Sequence, residues 1–231
     1  MQHALVTGSS SGIGKAIAER LLADGWRVTG IDMAPASIKN KAFIPVVGDL
    51  LEADAIENIA NDLLKEGTPA AFIHAAGVLR VAPLGSLDHA QTSAMWQIHV
   101  DALCRLANRI VPAMARAGHG RMVLIGSRVA RGMAGRSQYA ATKAALIALA
   151  RSWAAEVVAQ GVTINVVSPA ATATAMLQDP ARQSAAPKLP PLGRLIQPAE
   201  VAAAVAFLLS DDAAAITGQD LQICGGASLA S

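Results

Sequence analysis

The chain has 231 residues, enough for one generous domain with its own core. Charged residues make up only 16 %, the net charge is +2 and no long basic run exists, which argues against a nucleic-acid-binding surface. Apolar residues make up 53 %, yet stretches such as VAAAVAFLL at 201–209 are too short to span a bilayer, so no membrane partner is expected. So little charge also points to surface buried between subunits. The start, MQHALVTG, reads as a strand rather than a leader, and Cys104 and Cys224 fit neither a CxxC pair nor a disulfide framework. A soluble, cytoplasmic protein is expected.

The first strand is expected at 3–7 and the first helix at 13–23, with Gly8, Gly12 and Gly14 between them. Glycines there let the backbone turn sharply and approach a pyrophosphate, and the helix N-terminus offers it unpaired N–H groups. The strand–turn–helix context gives this pattern its weight. The second strand, 27–32, ends on Asp32, eighteen residues after Gly14. A carboxylate there can hold an adenosine ribose and repels a 2′-phosphate; no arginine or lysine precedes Gly12, whose neighbour is Ser11. Both features favour NAD over NADP. Further strands are expected at 42–47, 70–74, 121–126, 162–168 and 220–224, and helices at 53–65, 88–117, 139–160 and 199–209. Gly25, Gly67, Gly118 and Gly161 follow helical segments, and Pro198 suits a first turn. Alternating strands and helices imply βαβ units and a parallel sheet. Only 175–197 lacks a period; it reads as a lid or substrate loop.

The segment LIGSRVARGMAGRSQYAATK at 124–143 ends a strand at Ser127 and opens a long helix with Tyr139 and Lys143. An i,i+4 pair shares one helical face. An ammonium near a phenol lowers its pKa from about 10. Such a tyrosine can exchange a proton with an alcohol or carbonyl oxygen near neutral pH. A serine at the same sheet edge can donate a hydrogen bond to that oxygen. Arg128, Arg131 and Arg136 lie between them. Their forks suit carboxylates or phosphates, or an acyl carrier; the alternative is solvated loop charge.

TGSSSGIG at 7–14, Asp49 in VVGDL, HAAG at 74–77, Ser127, Tyr139 and Lys143 form one series with NVVSPAATAT at 165–174. PLGRLIQPAEVAAAVAFLLSDDAAAITGQ at 191–219 and the closing GGASL complete it. Together they resemble the short-chain dehydrogenase/reductase family in its compact form, over essentially the whole chain. The resemblance implies a single Rossmann-like domain over residues 1–231. That fold is α/β, a doubly wound parallel sheet of seven strands with helices on both faces, usually assembled as a homotetramer. It implies an NAD(H)-dependent oxidoreductase that interconverts a secondary alcohol and a ketone. Tyr139 would be the general acid/base, Lys143 would bind the nicotinamide ribose and lower the tyrosine pKa, and Ser127 would orient the substrate oxygen. Gly8, Ser10, Gly12, Ile13 and Gly14 would hold the cofactor turn. Asp49 and Leu50 would lie near the adenine. Ala75, Ala76 and Gly77 would let the backbone pass along the cofactor, and Pro169, Thr172 and Thr174 would approach the nicotinamide. No metal is implied, and the RLIQPAEVA helix would pack at a subunit interface.

Four positions depart from the family pattern. His74 and His99 stand where asparagines are usual. The asparagine at the second position holds a water that relays protons to the lysine. His99 can take over that relay, or fill the space and leave catalysis to the other three. Ala170 replaces a glycine and Cys224 an aspartate. Phe43, Phe72 and Phe207 fall on core-like elements, so the pocket wall is expected to be Trp96, Met133, Met176, Leu177 and Leu189. Two other readings stand beside the first. One is a 3-oxoacyl-thioester reductase using NADPH, which the C-terminal third resembles. The other is a nucleotide-binding protein that has lost turnover.

Overall fold

The structure, a computed structural model, describes residues 1–177 and 189–229. The middle of the expected substrate loop, 178–188, therefore lies outside the described residues.

Seven strands form one parallel sheet: β1 (His3–Thr7), β2 (Arg27–Asp32), β3 (Phe43–Val47), β4 (Ala71–His74), β5 (Gly120–Ile125), β6 (Val162–Pro169) and β7 (Asp220–Ile223). Their spatial order is β3-β2-β1-β4-β5-β6-β7, each pair parallel. The chain runs outward from β1 to β3, then returns to β1's other side with β4 and continues to β7. That reversal opens a crevice beyond the carboxyl ends of β1 and β4, where ligands of open α/β sheets bind.

The central strands are apolar on both faces because both are covered. Alternate residues go to opposite sides. Leu5, Phe72, Met122, Leu124, Ile164 and Val166 meet α2 (Ala53–Glu66), α4 (Ala102–Ala117) and α5 (Ser137–Val157). Ala4, Val6, Ile73, Val123, Ile125 and Val167 meet α1 (Gly12–Ala23) and α6 (Pro198–Leu209). On α4 the stripe Leu103, Leu106, Ala107, Ile110, Met114 recurs at helical spacing and is buried throughout. Gly118 closes that helix with φ 70°, and α6 starts on Pro198 with the Glu200 carboxylate accepting the Gln197 N–H at 2.8 Å. Among the described residues no helix is long and apolar enough to cross a membrane.

Two expectations change here. The helix expected over 88–117 is interrupted: α3 (His89–Trp96) passes into a π-turn over Gln97–Asp101 before α4 begins. The wider turn takes one extra residue and turns His99 into the protein, where it is completely buried. Phe207, placed on a core-like element, sits on α6 but is 46 % exposed, because the buried stripe runs through Val201, Val205, Leu208 and Leu209 instead.

Candidate active site

A cavity of about 530 Å³ lies along the carboxyl edge of the sheet. That is within the roughly 300–1,000 Å³ of small-molecule and cofactor sites. It runs from the β2 and β3 ends, past the glycine turn, to the loop after β5.

The first end is built by the turn from β1 into α1. Gly8 has φ 71°, and a side chain there would also press on the Ala76 backbone, 2.8 Å from an added Cβ. An added Cβ on Gly14 would sit 2.1 Å from the Gly8 carbonyl oxygen. The helix starts at Gly12 with neither a side-chain cap nor an acidic residue in its first turn. Its free N–H groups therefore face the cavity with nothing competing for them, and the cradle fits a pyrophosphate. Gly12, Ile13 and Gly14 line the cavity; Ser10 does not. The Ser10 N–H is given to Asp32 Oδ2 at 2.9 Å and its hydroxyl to the Ala34 carbonyl at 3.0 Å. Asp32 Oδ1 accepts the Ala34 N–H at 2.9 Å, so the carboxylate at the end of β2 is held from both sides. Asp49 and Leu50, after β3, line the same end. The lysine and arginines lining the cavity, Lys143, Arg128 and Arg136, all lie toward the other end.

The middle is formed by Ala75, Ala76 and Gly77 after β4 and by Pro169, Ala170, Thr172 and Thr174 after β6. Thr7 fastens this floor. Its Oγ1 accepts the N–H groups of Ala75 and Ala76, both at 3.1 Å. Its own proton therefore goes to His74 Nδ1 at 3.0 Å, which leaves Nε2–H to donate to the Ile98 carbonyl at 3.2 Å. His74 thus ties the central strands to the π-turn. Burial, then the Lys143 charge, lowers its pKa to about 3. Among the described residues no non-glycine has positive φ, so Ala170 in place of glycine imposes no such backbone strain. At Cys224 burial pushes the thiol pKa up, but hydrogen bonds from Ser228, Gly226 and Ala227 outweigh this and leave it lowered. The sulfur fills an acceptor position there.

At the far end Ser127, Tyr139 and Lys143 come together, from the end of β5 and the first turns of α5. Ser127 Oγ accepts the Val129 N–H at 3.2 Å, which leaves its own O–H as a donor. Lys143 Nζ donates to the Ile125 carbonyl at 2.8 Å and lies 5.8 Å from the centre of the Tyr139 ring. Burial brings its pKa down to about 7. The His99 ring stands edge-on to Tyr139, centroids 5.6 Å apart at 82°. Its Nε2 accepts the Val78 N–H at 3.0 Å, so the ring proton is on Nδ1 and is given to Thr142 Oγ1 at 2.8 Å. Thr142 passes its own proton to the Tyr139 carbonyl at 2.9 Å. Burial, then Lys143 and His74, keep the His99 pKa well below its ordinary value. The ring is neutral and both nitrogens are committed.

Of the expected wall residues, Met133, Met176 and Leu177 line the cavity. Trp96 and Leu189 do not; they are 36 % and 54 % exposed. Trp96 is the last residue of α3, directly before the π-turn. Arg128 and Arg136 are half-buried in the wall, while Arg131 is exposed outside it. Val78, Ile98, Val129 and Ala227 also line it. The first three neighbour expected site residues in sequence; nothing local in sequence signals Ala227.

A family model described as enoyl-(acyl carrier protein) reductase matches residues 8–228. The chain is 37 % identical over 240 aligned positions to the 3-oxoacyl-(acyl-carrier-protein) reductase FabG of Escherichia coli. It is 36 % identical over 234 positions to the reductase of that name from Salmonella typhimurium; each alignment covers 96 % of both chains. Its backbone superposes on ligand-free aldohexose dehydrogenase of Thermoplasma acidophilum with a TM-score of 0.91 at 26 % identity, covering 100 % of this chain and 95 % of that one.

Proposed function

The chain belongs to the short-chain dehydrogenase/reductase family and is an oxidoreductase acting on CH–OH groups; from that premise we propose that it interconverts a secondary alcohol and a ketone with NAD(H). The observation that carries this reading is the convergence of Ser127, Tyr139 and Lys143 on one cavity with a glycine turn that fits a pyrophosphate. A bound nicotinamide would supply the hydride acceptor or donor. The chain's own side chains handle the substrate oxygen. Ser127 donates its free proton to that oxygen, and Tyr139 gives or takes the proton that accompanies reaction. Lys143, when charged, favours negative charge on the phenol oxygen. His99 serves to hold Tyr139 and the Val78 backbone rather than to carry protons, since a proton on Nε2 would displace the Val78 N–H. Asp32, with no arginine or lysine lining its end of the cavity, supports NAD over NADP. Residues 1–231 act as one NAD-binding unit. Homotetrameric assembly and a cytoplasmic location complete the reading, and light scattering tests the first.

Tyr139→Phe tests the assignment. Turnover should fall by about a hundred- to ten-thousandfold, the usual worth of a positioned acid/base. NAD affinity, read by calorimetry, should hardly change. Near-normal turnover in this variant sinks the assignment.

A second reading is favoured by the two FabG relatives: reduction of a 3-oxoacyl thioester. Assay of an acetoacetyl thioester with NADH and with NADPH separates the readings. On the first reading NADH is the better cofactor, and Asp32→Ala narrows the difference; a strong NADPH preference in the wild type favours the second.

A further inference from the structure

Two guanidinium groups sit in the reacting end of the cavity with no carboxylate paired to them among the described residues. Arg128 opens the short 3-10 turn after Ser127, and Arg136 directly precedes α5, three residues before Tyr139. Both are half-buried cavity residues. Among the described residues neither pairs with a carboxylate; Arg128 donates one hydrogen bond, to the Ala227 carbonyl at 3.4 Å. A guanidinium has five N–H donors, so most of that capacity is unspent. The cavity's acidic residues are Asp32 and Asp49, beyond the ends of β2 and β3. β2 and β5 are three strand spacings apart in the sheet, roughly 14 Å at about 4.8 Å each. Neither carboxylate forms an ion pair with Arg128 or Arg136 among the described residues. Burial pulls the Arg136 pKa down, and the charge on Arg128 adds to this while Tyr139 opposes it. Two like charges facing one cavity cost the free protein stability. Such an arrangement is repaid when an oxyanion enters between them.

We infer that the substrate carries an oxyanion, a carboxylate or a phosphate, held by Arg128 and Arg136 while its carbinol or carbonyl carbon lies at Ser127 and Tyr139. This rests on the alcohol–ketone reading above and names the substrate class for that site. Met133, Met176 and Leu177 contact the apolar part between the two groups.

The test reads binding, so it does not depend on turnover. The NAD-loaded protein is titrated by calorimetry with acetoacetate against methyl acetoacetate, and with dihydroxyacetone phosphate against dihydroxyacetone. At least one anion should bind about tenfold or more tightly than its neutral partner, a change that one charge-assisted hydrogen bond can supply. Arg128→Gln and Arg136→Gln should each erase most of that preference. Arg136→Lys, which keeps the charge and loses the fork, should keep part of it. Arg131→Gln, an exposed arginine of the same loop, should keep all of it. Preference in the first pair assigns a carboxylate and in the second a phosphate. No detectable preference in either pair overturns the inference, as does a preference that survives both glutamine variants. Anion binding that the glutamine variants erase, without any hydride transfer, would keep Arg128 and Arg136 as an oxyanion site and sink the alcohol–ketone reading. Reduction of neutral ketones without anion preference would do the reverse.

Discussion

His99 links three parts of the site through two hydrogen bonds and one ring contact. Replacing it separates holding from proton transfer. His99→Ala strands the part-buried Val78 N–H and opens a void, which should cost about 3 kcal/mol by urea unfolding. His99→Asn keeps one acceptor and should cost less. If the ring only positions Tyr139, the pH–rate profile of His99→Asn keeps the shape of the wild type at a lower kcat. Loss of one limb of that profile would assign a proton-carrying role instead. Lys143 shows the limit of reading a motif as isolated residues. The spacing Y-x-x-x-K supplies the pair, but only burial against the Ile125 carbonyl brings the lysine to about 7 and makes its charge depend on pH in the working range.

At the scale of elements, the glycine turn and its helix act as one piece. Gly14→Ala puts a Cβ against the Gly8 carbonyl, where no flexible atom can give way. We expect a loss of about 1–3 kcal/mol in stability, read from chemical denaturation. NAD affinity should also drop about tenfold or more, which corresponds to 1.4 kcal/mol or more. Most elements were legible because their signals are local: alternating apolar strands, glycines after α4 and before α1, and proline and glutamate in the first turn of α6. The π-turn was not. Its wider hydrogen-bond ring has no residue signature, and the sequence from 88 to 117 keeps a helical period across it. The catalytic trio was legible as residues, whereas the Ala227 wall was not, because it depends on where β7 delivers the chain after the last strand.

For the molecule as a whole, the buried histidines give stability a direction in pH. His74 titrates at about 3 in the folded protein, His99 well below its ordinary value, and both near 6.5 when unfolded. Between those limits the unfolded chain binds more protons, so stability is complete above about 6.5 and is lost as pH falls toward the folded values. His74 contributes about 1.4 kcal/mol per pH unit there, so it alone should cost about 2 kcal/mol between pH 7 and pH 5, and His99 acts in the same direction. Urea midpoints at the two values measure this. The double variant His74→Asn, His99→Asn should flatten the dependence; an equal slope in it would place the effect elsewhere.

The lining of the cavity is gathered from Gly8 to Ala227, with residues from the end of every strand from β1 to β6 and from the tail beyond β7. No fragment that frays from the sheet could keep such a lining intact. Whatever fills it is recognised only by the completely assembled chain, and so it draws on the global folding equilibrium rather than on a local opening. A ligand present at a hundred times its Kd then adds about 2.7 kcal/mol against unfolding as a whole, and resistance to a protease would report occupancy even at cleavage sites far from the crevice.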